Sequence, residues 1–342
     1  MENNLEEQLG HGCERQPEDE RDFIFEKTLG AGVVMTDEEW KQGYDIEKEI
    51  GFKLPIKNQM TSYSCNGQAW SYYVAVLNAI ETGKLDIVSA KAIYSKITLG
   101  YGLGSYLRDG GKLVTEFGAL LENIVKSHKP DGTTDETWMI DTACITPEIT
   151  EMAKILQAKE YRTIKGLGID YFARAIKDGK GMVAGVEGTN NGTWSTNEPK
   201  RPVDDTPQGQ LWGHALFFGK FGIDEKGKYI STPNSWGTRN EIDGLHPDDW
   251  QKLREDWFEN NNRWVFNPWT LLDAPNNKNM FTFKKLKGDK NIWICNEAKK
   301  TREVFLDMVS MVFFTDTFEE VLTLDDYKIY GTNATIERVI LD

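Results

Sequence analysis

Four side chains that together can run acyl chemistry stand in a suggestive order. Gln59 and Cys65 lie six residues apart in Leu-Pro-Ile-Lys-Asn-Gln-Met-Thr-Ser-Tyr-Ser-Cys-Asn-Gly-Gln-Ala-Trp, which ends at Trp70. Far downstream come His214, in Gly-His-Ala, and Asn234, in Pro-Asn-Ser-Trp-Gly-Thr. A thiol can attack a carbonyl carbon, an imidazole can move the proton, and a carboxamide can fix the tautomer of that imidazole. The Gln59 carboxamide, turned back beside the Cys65 N–H, can donate to a developing oxyanion; one such donor is worth about 3–4 kcal/mol.

The elements around these residues must bring them together. After Cys65, Ala69, Tyr73, Val76, Leu77 and Ile80 recur at three- and four-residue spacing, which predicts a helix running to Gly83. Cys65 then sits at a helix entrance, where free N–H groups and the helix dipole favour a thiolate. The small or polar neighbours Ser64, Asn66 and Gly67 are expected to leave room for a substrate carbonyl. Further helices are predicted at 89–98 and 107–124, the second after the Gly-rich loop 99–105, and a short one at 171–177. Pro55 stops any helix begun within 38–50.

From about residue 160 strands dominate: 181–187, 214–221, 228–232 and 264–272, with a long polar loop over 188–210. His214 stands in an otherwise apolar run, where a lone histidine is usually a core residue. Gly213 permits close approach, and Asn234 follows after one strand–turn–strand unit, with Trp236 placed to shield the pair from water. The thiol and the imidazole therefore fall on different halves of the chain.

These motifs resemble those of a papain-like cysteine peptidase over residues 21–273. The resemblance rests on Asn58-Gln59, Ser64-Cys65, Gly213-His214-Ala215 and Asn234-Ser-Trp-Gly237, in family order. It implies an α+β, two-lobed fold: a helical lobe at about 51–150, an antiparallel β-barrel-like lobe at about 151–273, and the active-site cleft between them. It also implies a Cys65–His214–Asn234 triad with Gln59 in the oxyanion hole, acting on protein or peptide substrates. The Ser-Cys-x-Gly-x-Ala pattern is similar to a bacterial or phage branch. Asn66 and Ser62 replace a tryptophan and a disulfide cysteine usual in the secreted enzymes. The loop 100–105 lacks its cysteine, and an insertion after Thr238 carries Trp250 and Trp257. A use of this fold as a structural or binding part, for instance of a phage particle, and a cysteine amidase acting on cell-wall peptides are the alternatives.

The rest of the chain bounds these expectations. Net charge is −14 over 342 residues, and fifteen acidic against five basic side chains fall in the first fifty. Residues 1–20 are thus expected to be an acidic, solvated arm, or else a segment packed over the cleft; 21–32 is expected to run extended on the body. The polar start fits neither a secretory signal nor a transit peptide and suggests a cytoplasmic or virion-associated protein. No apolar run is long enough to span a bilayer. Cysteines 13, 65, 144 and 295 and histidines 11, 128, 214 and 246 show no metal-ligand spacing, and no cofactor fingerprint is present. The short basic run 284–287 does not suggest nucleic acid. After a linker at 273–279, alternating segments flanking Gly288-Asp289 predict a hairpin. With an acidic helix at 317–324, these make a small β-rich module (279–342) that can dock a partner.

Overall fold

The computed structural model describes residues 11–27, 34–238 and 250–272, together with the backbone of five strands between 281 and 332. The helical half opens with two short helices where one was expected. α1 (Asp37–Gln42) starts from a reciprocal capping box between Thr36 and Glu39, and α2 (Ile46–Ile50) from the Asp45 side chain. Gly43, at φ +65°, separates them. The segment after Arg21 is not a strand but a turn and a 3-10 turn (Phe25–Lys27), with one bridge from Ile24 to Thr163.

The helix predicted after Cys65 is α3 (Cys65–Thr82), closed by Gly83 in the left-handed conformation. It is buried almost all round, Asn66, Gln68 and Ser71 included, while Ile80 is exposed. Burial on every side explains why an apolar stripe describes it poorly. α4 (Ala90–Ile97) packs across it, capped by Ser89. Gly67 serves that contact and not the cleft, since a Cβ there would lie 2.5 Å from the Ala90 carbonyl. α5 (Leu107–Glu116) ends well before 124, because the chain reverses at Gly118 (φ +89°) against the backbone of Ala153. Helices α6 (Glu136–Ile140), α7 (Pro147–Met152) and α8 (Ile169–Gly179) follow, and α9 (Glu259–Asn262) comes late in the chain.

Strands β1 (Cys13–Glu14) and β3 (Ser105–Tyr106) pair in parallel, apart from the main sheets. The β-rich half holds two four-stranded antiparallel sheets. The first has the order β4 (Glu160–Thr163), β10 (Val265–Leu272), β5 (Met182–Gly188), β6 (Trp212–Phe218). The second runs β2 (Tyr44–Asp45), β7 (Lys220–Asp224), β8 (Gly227–Thr232), β9 (Gln251–Arg254). The single apolar run expected at 214–221 breaks at Gly219, where the chain passes from one sheet to the other. Among the described residues the sheets do not close into a barrel. One core joins the halves: Cys65, Ala69, Trp70 and Tyr73 of α3 share a cluster with Val183, Ala215, Phe217, Phe266 and Trp269. Trp250 and Trp257, from the expected insertion, are buried.

In the C-terminal region β11 (Phe281–Leu286) and β12 (Ile292–Asn296) pair antiparallel, as the expected hairpin requires. With β13 (Thr301–Phe305), β14 (Val321–Leu322) and β15 (Gly331–Thr332) they form one sheet. Val321–Leu322 is therefore extended where an acidic helix was expected. The linker 273–279 and the turn at Gly288-Asp289 lie outside the described residues.

Candidate active site

Cys65 is the first residue of α3 and is fully buried. The backbone N–H groups of Cys65 and Asn66 favour its thiolate, as expected at a helix start. The N–H of Ala215, the residue after His214, favours it too, so α3 and β6 meet at the thiol. His214 is fully buried on β6. Its Nε2 lies 2.9 Å from Asn234 Oδ1, while its Nδ1 has no hydrogen-bond partner among the described residues. Asn234 adopts a left-handed backbone (φ +56°), a conformation that asparagine tolerates better than most residues. Trp236 stacks on the imidazole with ring centroids 4.4 Å apart, and Trp194 meets it edge-on at 6.3 Å.

Gln59 is buried beside this group. Its Oε1 accepts from Ser235 Oγ at 2.6 Å, and its Nε2 donates to the Ser62 carbonyl at 2.9 Å. Ser62 bonds Ser64 Oγ at 2.7 Å and the Gln59 carbonyl. Asn66 points away from the thiol and donates to the carbonyl and hydroxyl of Ser105, both at 2.8 Å. The segment carrying Cys65 is thereby tied to the Gly-rich loop. Buried Glu136 adds to the tie by accepting from the Tyr63 N–H, the Tyr94 hydroxyl and the Gly102 N–H.

Sequence reasoning missed two contributors. Trp194 lies in the long loop and Gln251 opens β9; Gln251 Oε1 accepts from Asn234 Nδ2 at 2.7 Å. Neither carries a spacing signal, since one sits in an aperiodic loop and the other is 17 residues beyond its partner.

The larger departure concerns the N-terminal segment. Residues 11–16 are not a solvated arm but cross the groove between the two halves. β1 pairs in parallel with β3, and the Ser105 N–H donates to the Gly12 carbonyl at 2.9 Å. The Gly12 N–H faces the Cys65 sulfur and favours its thiolate. His11 stacks on Trp212 at 4.1 Å, and Arg15 bonds Glu187 and the Arg263 carbonyl. The Asn267 side chain, on the bulge of β10, accepts from the Gln16 N–H. The passage fits because facing residues lack side chains. A Cβ on Gly12 would lie 2.1 Å from the Tyr63 carbonyl oxygen, and one on Gly213 would lie 1.9 Å from that of Cys13.

This seating changes the chemistry at the thiol. The Gly12 N–H faces the sulfur, and the Gly12 carbonyl accepts from the Ser105 N–H. Burial pushes the Cys65 thiol up to about 12, despite the backbone donors that favour its thiolate. Burial likewise holds His214 down at about 3, against the help of Asn234. The seated form thus carries a neutral thiol and a neutral imidazole.

His11 responds to pH in the opposite sense to an ion pair. Burial in the groove lowers it to about 4, from the usual 6.5. Between those values the released segment binds a proton that the seated one does not. Seating is therefore strongest above pH 6.5 and weakens progressively as pH falls toward 4. Protection of the Gly12 and Cys13 amides against hydrogen exchange, corrected for the intrinsic rate, should fall in that window by a factor approaching about tenfold per pH unit. A flat profile in wild type, or an equal slope in His11→Phe, would show that His11 does not govern release.

No family profile matches the sequence, and no curated protein matches it. Solved structures do. Xylellain, a cysteine protease from Xylella fastidiosa, aligns over 78% of this chain and 97% of its own at TM-score 0.59 and 16% identity. Procathepsin B S9 from Trypanosoma congolense covers 79% and 88% at TM-score 0.55 and 13% identity. The Carica candamarcensis cysteine protease CMS1MS2 covers 68% and 99% at TM-score 0.51 and 15% identity. At these identities the likeness concerns the fold: the chain has the α+β fold of papain-like cysteine proteases.

Proposed function

We propose that this chain is a cysteine endopeptidase held latent by its own residues 11–16. The observation that carries the reading is that β6 sets the Ala215 N–H against the helix-start Cys65, next to a His214 whose Nε2 lies 2.9 Å from the Asn234 carboxamide. In the released form, solvent returns to the groove and the Cys65 thiol can pass its proton to His214. The thiolate attacks a peptide carbonyl carbon, and the Cys65 N–H and Gln59 stabilise the oxyanion. Protonated His214 gives its proton to the departing amine. Water, deprotonated by His214, then breaks the thioester and frees the acid. Asn234 accepts from Nε2–H throughout, and Trp236 keeps water from that bond.

The cleft between two lobes and the fold shared with cysteine proteases support this reading. The test is cleavage of a proteome-derived peptide mixture by Gly12→Leu protein, with Gly12→Leu/Cys65→Ala as the control. Cleavage in the first and none in the second is expected. Equal cleavage by both, or none by either, would overturn the assignment.

A further inference from the structure

We propose that Gln251 is the positioning residue for Asn234, and through it sets the tautomer of His214; the inference rests on the peptidase reading. Gln251 is fully buried at the start of β9, and the pairing of Gln251 with Thr232 on β8 places it beside the turn that carries Asn234. Its Nε2 lies 2.6 Å from the Trp194 carbonyl and 2.9 Å from the Thr196 carbonyl. Carbonyl oxygens only accept, so the amide nitrogen must face them. Oε1 is thereby turned toward Asn234 Nδ2, at 2.7 Å.

The other end of Asn234 is pinned independently. The Ser235 backbone N–H can only donate, and it lies 2.6 Å from Asn234 Oδ1. Both ends demand the same amide orientation, which presents oxygen to His214 Nε2 at 2.9 Å. Nε2 must then carry the ring proton, which leaves Nδ1 with a lone pair. A flipped Asn234 would reverse this and put the proton on the nitrogen that has to accept one. The polarity of the site is therefore set from the carbonyls of the 188–210 loop, through two carboxamides, to the base.

Three proteins separate this role from simple packing. Gln251→Met keeps the volume and removes both polar ends. Gln251→Glu, which burial against two carbonyls favours in its protonated form, keeps a donor for the loop and an acceptor for Asn234. In the full-length chain, nitrogen-15 spectra of His214, assigned by the signal missing in His214→Gln, should show the Nε2–H tautomer alone in wild type and Gln251→Glu. A mixture of tautomers is expected in Gln251→Met. In the Gly12→Leu background, Gln251→Met should lower kcat about tenfold, the worth of one hydrogen bond, with KM unchanged within about twofold. Gln251→Glu should restore most of the loss.

A single Nε2–H tautomer and unchanged kcat in Gln251→Met overturn the positioning role even when the parent turns over peptide. A parent without Cys65-dependent turnover overturns the peptidase reading instead, and the spectra still decide the tautomer. Should Gln251→Met not fold, wild type suffices. The Asn234 Nδ2 protons, assigned through Asn234→Ala, should exchange with water about a hundredfold more slowly than those of a free carboxamide. Exchange at the free rate overturns the proposal.

Discussion

In Gly12→Leu protein, Cys65 is expected to react with an epoxide thiol inhibitor at least about thirtyfold faster at pH 7 than in the wild-type chain. A side chain at position 12 meets the Tyr63 carbonyl oxygen at 2.1 Å, and the contacts behind it are also backbone and Cβ. Unlike the far end of a flexible side chain, these atoms cannot give way cheaply. Overpacking of this kind costs about 1–3 kcal/mol or more, and about 1.4 kcal/mol is a factor of ten in a seating equilibrium. Release would also return solvent to a thiol that burial holds near 12, which adds thiolate at neutral pH. Mass spectrometry of the labelled protein over time measures the rate and the site. Equal rates for the two proteins would mean that the N-terminal segment does not control the thiol.

The second large effect concerns the base. In the Gly12→Leu background, His214→Gln should lower kcat for peptide hydrolysis by roughly four to six orders of magnitude, as for other nucleophile–base units. Glutamine can still accept or donate a hydrogen bond in that buried site, but it cannot carry a proton from the thiol to the amine. Cys65→Ala should lose a similar amount, and the double variant little more, because the pair acts as one unit. Progress curves with a fluorogenic peptide library decide this. A residual rate within about tenfold of the parent would remove His214 from the reaction.

The parts of the site that were legible in the sequence are those carried by local strings. Gln59, Cys65, His214 and Asn234 each stand in a short motif; Cys65 lies at a helix start and His214 on a strand, while Gln59 and Asn234 lie in loops. The three-and-four periodicity after Cys65 locates α3, although its burial on all sides blurs the stripe, and Ile80 turns out exposed. Gln251 was not legible, because its role depends on β8–β9 pairing and on two carbonyls in an aperiodic loop. The seating of His11 to Gln16 stood in the sequence only as the alternative to a solvated arm. Its determinants are absent side chains at Gly12, Gly104 and Gly213, and the value of a missing Cβ appears only when the facing backbone is in place. Composition pointed to a solvated arm because acidic residues outnumber basic ones there, yet Gly12 and Cys13 themselves carry no charge.

The core shared by the two halves has a mechanical consequence. Ala215 and Phe217 of β6 belong to the same apolar cluster as Ala69 and Tyr73 of α3, directly beneath the groove. Spreading the halves like jaws would expose that cluster to water, at about 25 cal/mol for each Å² of apolar surface. Unseating the N-terminal segment leaves most of that cluster covered: it frees Cys13 and undoes a two-residue pairing, the ring contacts of His11 and a few polar ties. On the proposed reading, the segment peels off a body that stays joined, and the released form should differ from the seated one chiefly in a single strip of chain.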